Sequence, residues 1–408
     1  MVAKLIEIDE AKHLVLERAS PLPAEQVSLR DALGRVLAAD AAAFDPVPGF
    51  DNSAMDGFAV RAADTAAASA EAPVGLSVVG ESRAGRPAQR GVGPREAILI
   101  STGAMVPEGA DAVVRVEDTR SRDGRVDVAV AVGAGRNVRR AGEDIQPDEA
   151  VLTRGTPLGP PELGVLASIG KAGVECVRRP RAFVLATGDE LYEPDEPLGP
   201  GGVRNSNAYT VPALVERAGA EVVGTETVPD KPRPTRAAIE RALSADVVVI
   251  CGGVSVGEHD HVRSALAELG AEEVFWGVAL RPGKPTWFGT HPGGALVFGL
   301  PGNPVSAMVT FLLLARPAIE AQLGLSPNRQ RATAILDDEY AKRPGRAHAV
   351  RCRLELRDDG WHARTTGEQG SHVLTSMLGA DALAMIPTES GTVSAGTKVE
   401  IELLRWGE

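Results

Sequence analysis

Three short apolar runs, each followed by a polar turn that contains glycine, constrain the fold of this chain more than any other feature. They occupy residues 183–186, 247–251 and 295–298. Their length and composition are typical of strands buried on both faces of a parallel sheet. Polar residues that follow such strands meet at the carboxyl edge of the sheet, where doubly wound proteins bind ligands. The pattern therefore predicts a doubly wound α/β unit with one binding crevice.

The third run leads into a rigid turn, Gly299-Leu300-Pro301-Gly302-Asn303-Pro304, and then into an apolar helical pattern. A helix start presents unpaired N–H groups and a partial positive charge, which suit an anionic ligand. A Gly-Asn-Pro segment on its own is more often only a turn. The prediction of an anion site here depends on finding the same strand and loop architecture three times.

The pattern of apolar residues changes several times along the chain, and these changes predict an α/β multidomain protein. Apolar residues recur at helical spacing near the N-terminus, short β-like segments follow, strands then alternate with helices, and the end is β again. The predicted parts are a discontinuous, largely helical linking domain (1–46 and 141–179), an inserted β-rich domain (47–140), the α/β domain (180–326) and a C-terminal β domain (327–408).

Composition excludes several classes of protein. A net charge of −12 argues against a nucleic-acid partner, because such proteins normally carry a basic face. The three cysteines, Cys176, Cys251 and Cys352, lack the spacing of a metal or disulfide framework. We find no signal peptide, and we expect no apolar run long enough to span a bilayer. A cytoplasmic protein without a membrane partner is expected.

Acidic residues follow the predicted strands at positions where they gain little as structural residues. Asp189 and Glu190 follow the first run, Asp230 follows the stretch 221–228, and Glu258 and Asp260 lie just past the Gly252-Gly253 turn. Any one of them alone is better explained as a helix cap. Several carboxylates facing one crevice would repel unless a cation joined them, and carboxylates beside phosphates are the ligands that Mg²⁺ prefers. Asp189, Glu190, Asp230 and Asp260 are therefore the candidate metal ligands.

A cationic pair flanks a second stiff turn. Arg281 and Lys284 enclose Pro282 and Gly283, an arrangement that suits an oxyanion and that stands out in an acidic chain. A simple surface turn is the alternative interpretation.

Six segments resemble the MoeA family, which includes the E domain of gephyrin, and they occur in the family's order along essentially the whole chain. The most specific is Asp51-Asn52-Ser53-Ala54-Met55-Asp56-Gly57. The others are Gly142-Glu143-Asp144-Ile145, Thr187-Gly188-Asp189-Glu190, the turn 252–258, Pro282-Gly283-Lys284-Pro285 and Leu300-Pro301-Gly302-Asn303-Pro304.

The resemblance implies a molybdopterin molybdenumtransferase, which inserts molybdate into adenylylated molybdopterin in a Mg²⁺-dependent step and releases AMP. It implies an elongated homodimer whose four-part subunit contains a molybdopterin-binding α/β domain, a linking domain and a C-terminal β-barrel-like domain. Transient contacts with other proteins of molybdenum cofactor biosynthesis are a further expectation.

Carried over by position, the resemblance places Asp56 and Asp144 at the site from one subunit and the remaining residues from the other. The residues expected in catalysis are Asp56, Asp144, Glu190, Asp230, Asp260 and Lys284. The residues expected to bind the pterin nucleotide and molybdate are Thr187, Gly188, Gly252, Gly253, Ser255, Arg281, Pro301, Gly302, Asn303, Pro304 and Ser371. Asp56, Asp144 or Asp260 is expected to act as the proton acceptor, and the sequence does not distinguish among them.

Two other functions stay open. A gephyrin-type E domain also binds receptor peptides, so a non-catalytic scaffold is one alternative. Related molybdopterin-binding domains catalyse the preceding adenylyltransferase step, which is the other. The absence of a second domain and a long linker disfavours the first, and the Asp56 segment, which would have no role, disfavours the second.

Overall fold

The computed structural model describes residues 5–254, 261–327 and 331–404. Within these residues the helices are α1 (Ile8–Leu16), α2 (Pro160–Ser168), α3 (Asn207–Arg217), α4 (Pro232–Ala242), α5 (His261–Glu268), α6 (Pro304–Thr310) and α7 (Arg316–Gln322), and a π-helical segment (Phe311–Ala315) joins the last two. The strands are β1 (Ala24–Ser28), β2 (Ala41–Ala42), β3 (Asn52–Ser53), β4 (Gly57–Val60), β5 (Val74–Ser82), β6 (Glu96–Ile100), β7 (Ala112–Arg115), β8 (Thr119–Arg122), β9 (Arg125–Val128), β10 (Val138–Arg139), β11 (Ala150–Leu152), β12 (Gly173–Val177), β13 (Arg181–Thr187), β14 (Leu191–Tyr192), β15 (Val203–Arg204), β16 (Glu221–Val228), β17 (Val247–Cys251), β18 (Glu272–Trp276), β19 (Leu280–Arg281), β20 (Trp287–Thr290), β21 (Leu296–Leu300), β22 (Arg331–Leu336), β23 (Ala347–Arg357), β24 (Gly360–Thr365), β25 (Ala382–Ile386) and β26 (Lys398–Leu403).

The three apolar runs form adjacent parallel strands, as predicted. The sheet has the order β16-β13-β17-β21-β20-β18, in which β16, β13, β17 and β21 are parallel and β20 runs antiparallel to both of its neighbours, β21 and β18. In β17, Val247, Val249 and Cys251 face one core, and Val248 and Ile250 face another. Helices α3, α6 and α7 cover the first face, and α4 and α5 cover the second. The doubly wound prediction is therefore confirmed, and the carboxyl ends of four strands share one edge.

The expectation that no apolar run is long enough to span a bilayer is wrong. The continuous helix Pro304–Gln322 is long and apolar enough to cross a membrane by length and composition alone. It packs inside the protein instead, because 83% of its apolar window is buried. Its residues form much of the core on one face of the sheet, which explains why the segment is so apolar.

The inserted β region contains a six-stranded sheet with the order β7-β4-β6-β5-β9-β8. Asp123 and Gly124 form the turn that joins β8 to β9, and both residues have positive φ angles, as a two-residue hairpin turn of this kind requires. Beside this sheet, β3 pairs with β10, so that Asn52 lies opposite Arg139. This pairing brings the Asp56 segment alongside the chain that leads to Asp144.

The linking region has less helix than predicted. Helix α1 ends at Leu16, and Pro21 and Pro23 prevent its continuation, after which β1 pairs with β12. The residues of α1 with helical spacing, among them Ile8, Ala11 and Val15, pack into the core of the α/β sheet. A separate small core holds the rest of the linking region together. The predicted boundaries at residues 46, 140, 179 and 326 stay a prediction.

The C-terminal strands close into a five-stranded barrel, which agrees with the predicted β-barrel-like domain. Strand β22 pairs with β24 and β26, β25 pairs with β26 and β23, and β23 pairs with β24. Val350 and Cys352 point into the barrel core, as their alternation predicts, whereas Leu356 near the hairpin tip is exposed. Strand β19 of the α/β region adds to the barrel beside β23 and carries Arg281 to it.

A buried ion pair joins the α/β core to the barrel. Arg316 of α7 donates to the Glu402 carboxylate of β26 and to the Leu403 carbonyl, and both charged side chains are almost fully buried. The ammonium of Lys12 in α1 lies 3.9 Å from the same carboxylate. Helices α1 and α7 therefore both contact the barrel at the carboxylate of Glu402.

We predict that Glu402→Ala lowers the free energy of unfolding by about 3–5 kcal/mol, because it removes a buried carboxylate that Arg316 donates to and that Lys12 lies beside. Urea unfolding followed by circular dichroism measures the change. The matched control is Glu240→Ala, which breaks an exposed ion pair with Arg236 and should change the free energy by at most about 0.5 kcal/mol. Equal effects of the two substitutions would contradict the structural role of Glu402.

Candidate active site

Two glycines bring the loops at the carboxyl edge of the sheet into contact. Gly252 and Gly253 follow β17 with φ angles of +94° and +62°. A Cβ on Gly252 would lie 2.7 Å from the Thr187 carbonyl oxygen, and one on Gly253 would lie 2.9 Å from the Thr187 hydroxyl. The Gly252 N–H donates to the Leu300 carbonyl at 3.0 Å. The ends of β13, β17 and β21 are thus packed together as the sequence predicted.

Acidic residues gather beside these loops. The Asp230 N–H donates to the Asp189 carboxylate at 3.2 Å, and the Gly188 N–H donates to the Val228 carbonyl. Burial raises the pKa of the Asp230 carboxyl, and the negative charges of Glu190 and Asp189 raise that pKa further, against the opposing effect of the Thr187 hydroxyl. The edge therefore carries negative potential. The predicted residues Ser255 and Asp260 lie outside the described residues.

The described acidic residues do not form a complete metal site by themselves. Among residues 5–254, 261–327 and 331–404, no three His, Cys, Asp or Glu side chains are grouped closely enough to hold a metal ion. Asp189, Glu190 and Asp230 are therefore three separate oxygen donors on two neighbouring loops.

The turn after β21 links the α/β edge to the C-terminal region. The Asn303 amide donates to the Ser371 hydroxyl at 3.3 Å, and the Asn207 amide donates to the Gly302 carbonyl at 2.8 Å. Pro304 begins helix α6, and Asn303 precedes it in an extended conformation. Four predicted residues, Pro301 to Pro304, are thus held between helix α3 and the Ser371 loop.

The turn that carries Arg281 and Lys284 lines a cavity together with the turn after β21 and the Ser371 loop. A cavity of about 530 Å³ is lined by residues 281–285, by Pro301, Asn303 and Ser306, and by Arg346 and residues 368–372. We call it the inter-domain cavity, because its walls come from the α/β region and from the C-terminal region. It brings together five predicted residues: Arg281, Lys284, Pro301, Asn303 and Ser371.

Two predicted residues lie apart from this cavity. Asp56 accepts hydrogen bonds from the Thr102 backbone N–H at 2.7 Å and from its hydroxyl at 3.2 Å, and its side chain is exposed. Asp144 is exposed, and its N–H donates to the Val47 carbonyl. Neither residue lines the inter-domain cavity of the same chain.

The sequence interpretation missed residues that support the site. Arg351 is buried in β23 and donates to the Gly370 carbonyl and the Ser376 hydroxyl, which fixes the loop that carries Ser371. Strand alternation placed Arg351 on an exposed face, and only the loop folded over that face reveals its role. Asn205 caps the start of α3 through Ala208 and donates to Thr227. Its position before a helical pattern is a capping signal that the sequence did offer.

A second cavity, of about 860 Å³, shares Arg281 and Lys284 with the inter-domain cavity. It is also lined by Lys342, Arg343, Arg346 and His348, and we call it the basic chamber. Burial lowers the pKa of His348 to about 4, and the positive charges of Arg281, Lys342 and Arg346 contribute. The pKa of the His348 imidazole is therefore lowered partly by the positive charges that line the chamber.

Family models and known relatives cover nearly all of this chain. Residues 6–170 match the MoeA N-terminal region (domain I and II), residues 183–321 match a probable molybdopterin binding domain, and residues 333–404 match the MoeA C-terminal region (domain IV). The molybdopterin molybdenumtransferase of Haemophilus influenzae is 38% identical over 404 residues, with 98% of each chain covered.

Two further relatives agree with these matches. The molybdopterin molybdenumtransferase of Bacillus subtilis is 37% identical over 406 residues, which cover 98% of this chain and 94% of the relative. The crystal structure of a molybdopterin biosynthesis MoeA protein from Pyrococcus horikoshii superposes with a TM-score of 0.85 at 32% identity. It covers 99% of this chain and 100% of that chain.

We predict that the pKa values of two buried histidines of the barrel are shifted in opposite directions from the usual value of a histidine. His348 should become protonated only near pH 4, whereas hydrogen bonds to Asp337 and Asp359 raise the pKa of His362 above its usual value of 6.5. At pH 7 His348 is therefore neutral. Carbon-detected NMR of labelled histidine measures both values, and His348→Gln and His362→Gln identify the signals. Two ordinary titrations near pH 6.5 would contradict the described electrostatics.

Proposed function

This chain belongs to the MoeA family, and on that premise we propose that it is a molybdopterin molybdenumtransferase, which inserts molybdate into adenylylated molybdopterin and releases AMP in molybdenum cofactor biosynthesis. Relatives that carry this name are 37–38% identical across the whole chain. The geometry agrees, because one edge of the sheet offers glycine loops, carboxylates and a cationic cavity side by side.

The observation that carries the proposal is the joint lining of the inter-domain cavity by Arg281, Lys284, Asn303 and Ser371. Molybdate is a tetrahedral dianion, and two cations with hydroxyl and amide donors match its charge and its oxygen atoms. Arginine presents a planar fork, so Arg281 is suited to contact two oxygens at once. Lys284 contributes a second positive charge three residues away.

The nucleotide part of the substrate is proposed to lie along the carboxyl edge of the sheet. Glycines at positions 188, 252 and 253 let the loops of this edge pack closely, and the turn at residues 301–304 leads into a helix start. The Gly188 and Gly252 N–H groups already donate to backbone carbonyls, so the phosphates are proposed to bind at the helix start, whose backbone N–H groups suit phosphate oxygens, with Thr187, Gly188, Gly252 and Gly253 lining the crevice. Ser255 is proposed to join them.

Mg²⁺ is proposed to bind the acidic side of this edge, through Asp189, Glu190, Asp230 and Asp260. The donor set fits, because carboxylate oxygens are hard ligands and because the charges of Glu190 and Asp189 already disfavour the ionised form of Asp230. A bound divalent cation would polarise the phosphoanhydride of the substrate. Asp56, Asp144 or Asp260 is proposed as the proton acceptor, and Glu190 and Asp230 as the carboxylates that orient the reacting groups.

We propose that the working unit is a homodimer in which Asp56 and Asp144 reach the site of the partner subunit. Neither residue lines the inter-domain cavity of its own chain, which supports this arrangement. Large apolar side chains of the linking region are exposed, and Phe44 retains 83% of its accessible surface. A cytoplasmic location is also proposed, since all three cysteines are free and buried.

The first test measures AMP release and cofactor formation after the purified protein is mixed with adenylylated molybdopterin, Mg²⁺ and molybdate. We predict that Lys284→Ala impairs the use of molybdate far more than the binding of the pterin nucleotide, by about 1.5–3 kcal/mol for one charge-assisted contact. Lys284→Arg should retain much of the activity, and Lys398→Ala, at an exposed barrel position, should retain all of it.

The result also separates the alternatives. A scaffold protein would release no AMP under any condition, and an adenylyltransferase would consume ATP and unmodified molybdopterin instead. An equal loss of pterin nucleotide affinity in Lys284→Ala would contradict the role of this lysine.

The second prediction concerns the shared site. Asp56→Asn and Lys284→Ala should each be nearly inactive, yet random mixing of the two variants should restore about a quarter of the wild-type activity. Half of the mixed dimers would be heterodimers, and each heterodimer would hold one intact site of two. Heterodimers verified by two affinity tags that regain no activity would argue for a site within a single chain.

The third prediction is that Mg²⁺ binds weakly to the free protein and tightly once the pterin nucleotide is present. Mg²⁺ usually takes one or two carboxylates plus substrate phosphates, and the described carboxylates come from separate loops. Calorimetric titration with and without nucleotide measures both affinities, and Asp230→Asn should weaken the second. A tight stoichiometric site in the free protein would contradict this view.

A further inference from the structure

Trp276 of β18 holds the residue that follows the Gly252-Gly253 turn. Its indole N–H donates to the Val254 carbonyl at 2.8 Å. Val254 is 2% exposed, and its side chain lies against β21, because a Cβ on Gly299 would come within 2.5 Å of the Val254 Cγ1 atom. Val254 is therefore fixed from two sides, through its backbone by the indole and through its side chain by the sheet.

A cation and a carboxylate fix the orientation of this indole. The Arg263 guanidinium lies 5.4 Å from the centre of the Trp276 ring, within the range of a cation–π contact. Arg263 also donates to the Glu273 carboxylate at 2.8 Å, and the same carboxylate oxygen accepts a hydrogen bond from the Trp287 indole at 2.7 Å. Rotation of Trp276 would break its contact with this network, so its N–H is held toward Val254.

The same side chain contacts residues on both sides of the segment 255–260. Val254 precedes that segment, and Arg263 lies in the first turn of α5, which follows it. One indole therefore links the end of the turn after β17 to the start of the next helix.

The turn that ends at Val254 is packed tightly against its neighbours at the carboxyl edge. A Cβ on Gly252 would lie 2.7 Å from the Thr187 carbonyl oxygen, and a Cβ on Gly302 would lie 3.7 Å from the Gly252 Cα. A shift of Val254 would therefore press Gly252 against Thr187 or move it away from Gly302. The wall of the crevice at this point depends on the hydrogen bond that the indole makes.

We propose that Trp276 is a positioning residue for nucleotide binding, which acts through Val254 and contacts no substrate atom. The proposal rests on the proposed function, because that function places the nucleotide at this edge. Without the indole N–H, the Val254 carbonyl loses this donor and the Gly252-Gly253 turn is less ordered. The nucleotide must then order the turn as it binds, which lowers affinity but does not slow the chemical step.

The test compares Trp276→Phe with two matched controls in the full-length protein. Phenylalanine keeps an aromatic ring beside Arg263 and removes the N–H donor. Trp287→Phe removes the other indole donor of the network, which bonds to Glu273 and not to the turn. Trp361→Phe makes the same substitution at an exposed position of the barrel.

Calorimetry measures the affinity for AMP, and AMP release measures kcat and the KM for adenylylated molybdopterin. We expect Trp276→Phe to weaken AMP binding and to raise KM roughly fivefold, as the loss of one hydrogen bond would, with kcat nearly unchanged. Trp287→Phe should lower the midpoint of thermal unfolding but keep the wild-type affinity, and Trp361→Phe should change neither. A purely structural role of Trp276 would reduce the folded fraction, which lowers kcat and leaves KM unchanged.

NMR of the indole N–H groups supplies a readout that does not depend on turnover. The Trp276 signal is identified by its loss in Trp276→Phe, and we expect it to move when AMP and Mg²⁺ are added to the wild-type protein, whereas the Trp361 signal stays in place.

Two results would overturn the proposal: an unmoved Trp276 signal, or a Trp276→Phe protein that is less stable yet keeps the wild-type AMP affinity and KM. A wild-type protein that binds AMP with the expected response but does not turn over adenylylated molybdopterin would contradict the proposed function and support the role of Trp276. Normal turnover with an unmoved Trp276 signal would contradict the role of Trp276 alone.

Discussion

The close packing of Gly252 and Gly253 against Thr187 is the constraint on which the site depends. A Cβ at either glycine would collide with the end of β13, and Gly253 would also meet Val262 of α5 at 2.6 Å. The loops after β13, β17 and β21 can therefore lie within one small area. Every functional group described above is placed relative to this edge.

Negative and positive side chains lie in separate places around the carboxyl edge of the sheet. Carboxylates follow β13 and β16, whereas Arg281 and Lys284 stand where β19 meets the barrel. Such a division suits a substrate that carries both phosphates and an attached metal oxyanion, because a cation and an anion then find separate partners. The barrel is part of this design, since Arg351 holds the Ser371 loop against Asn303. The Arg316 and Glu402 pair keeps the barrel in register with the core helix.

The sequence predicted the parallel strands of the sheet, because strands such as Val247–Cys251 are continuously apolar, and it named five of the fourteen residues that line the inter-domain cavity. It predicted the helical content of residues 1–46 poorly, since Pro21 and Pro23 stop a pattern that periodicity alone would extend. It also misjudged the helix Pro304–Gln322, whose apolar character comes from burial in the core. The role of Arg351 could not be predicted, because it depends on the Ser371 loop folding over β23. The basic chamber could not be predicted either, because it forms only where the Lys342 segment folds beside Arg281. Roles for Asp56 and Asp144 stay predictions.

The central claim is that the substrate binds across the carboxyl edge of the sheet and the inter-domain cavity. A crystal structure of the protein with adenylylated molybdopterin tests it most directly. The account predicts the phosphates against the loops at Gly252 and Pro301, with the dithiolene directed toward Lys284 and Ser371. A nucleotide found instead in the groove between α1 and the barrel strands, beside Glu7 and Pro387, would contradict it.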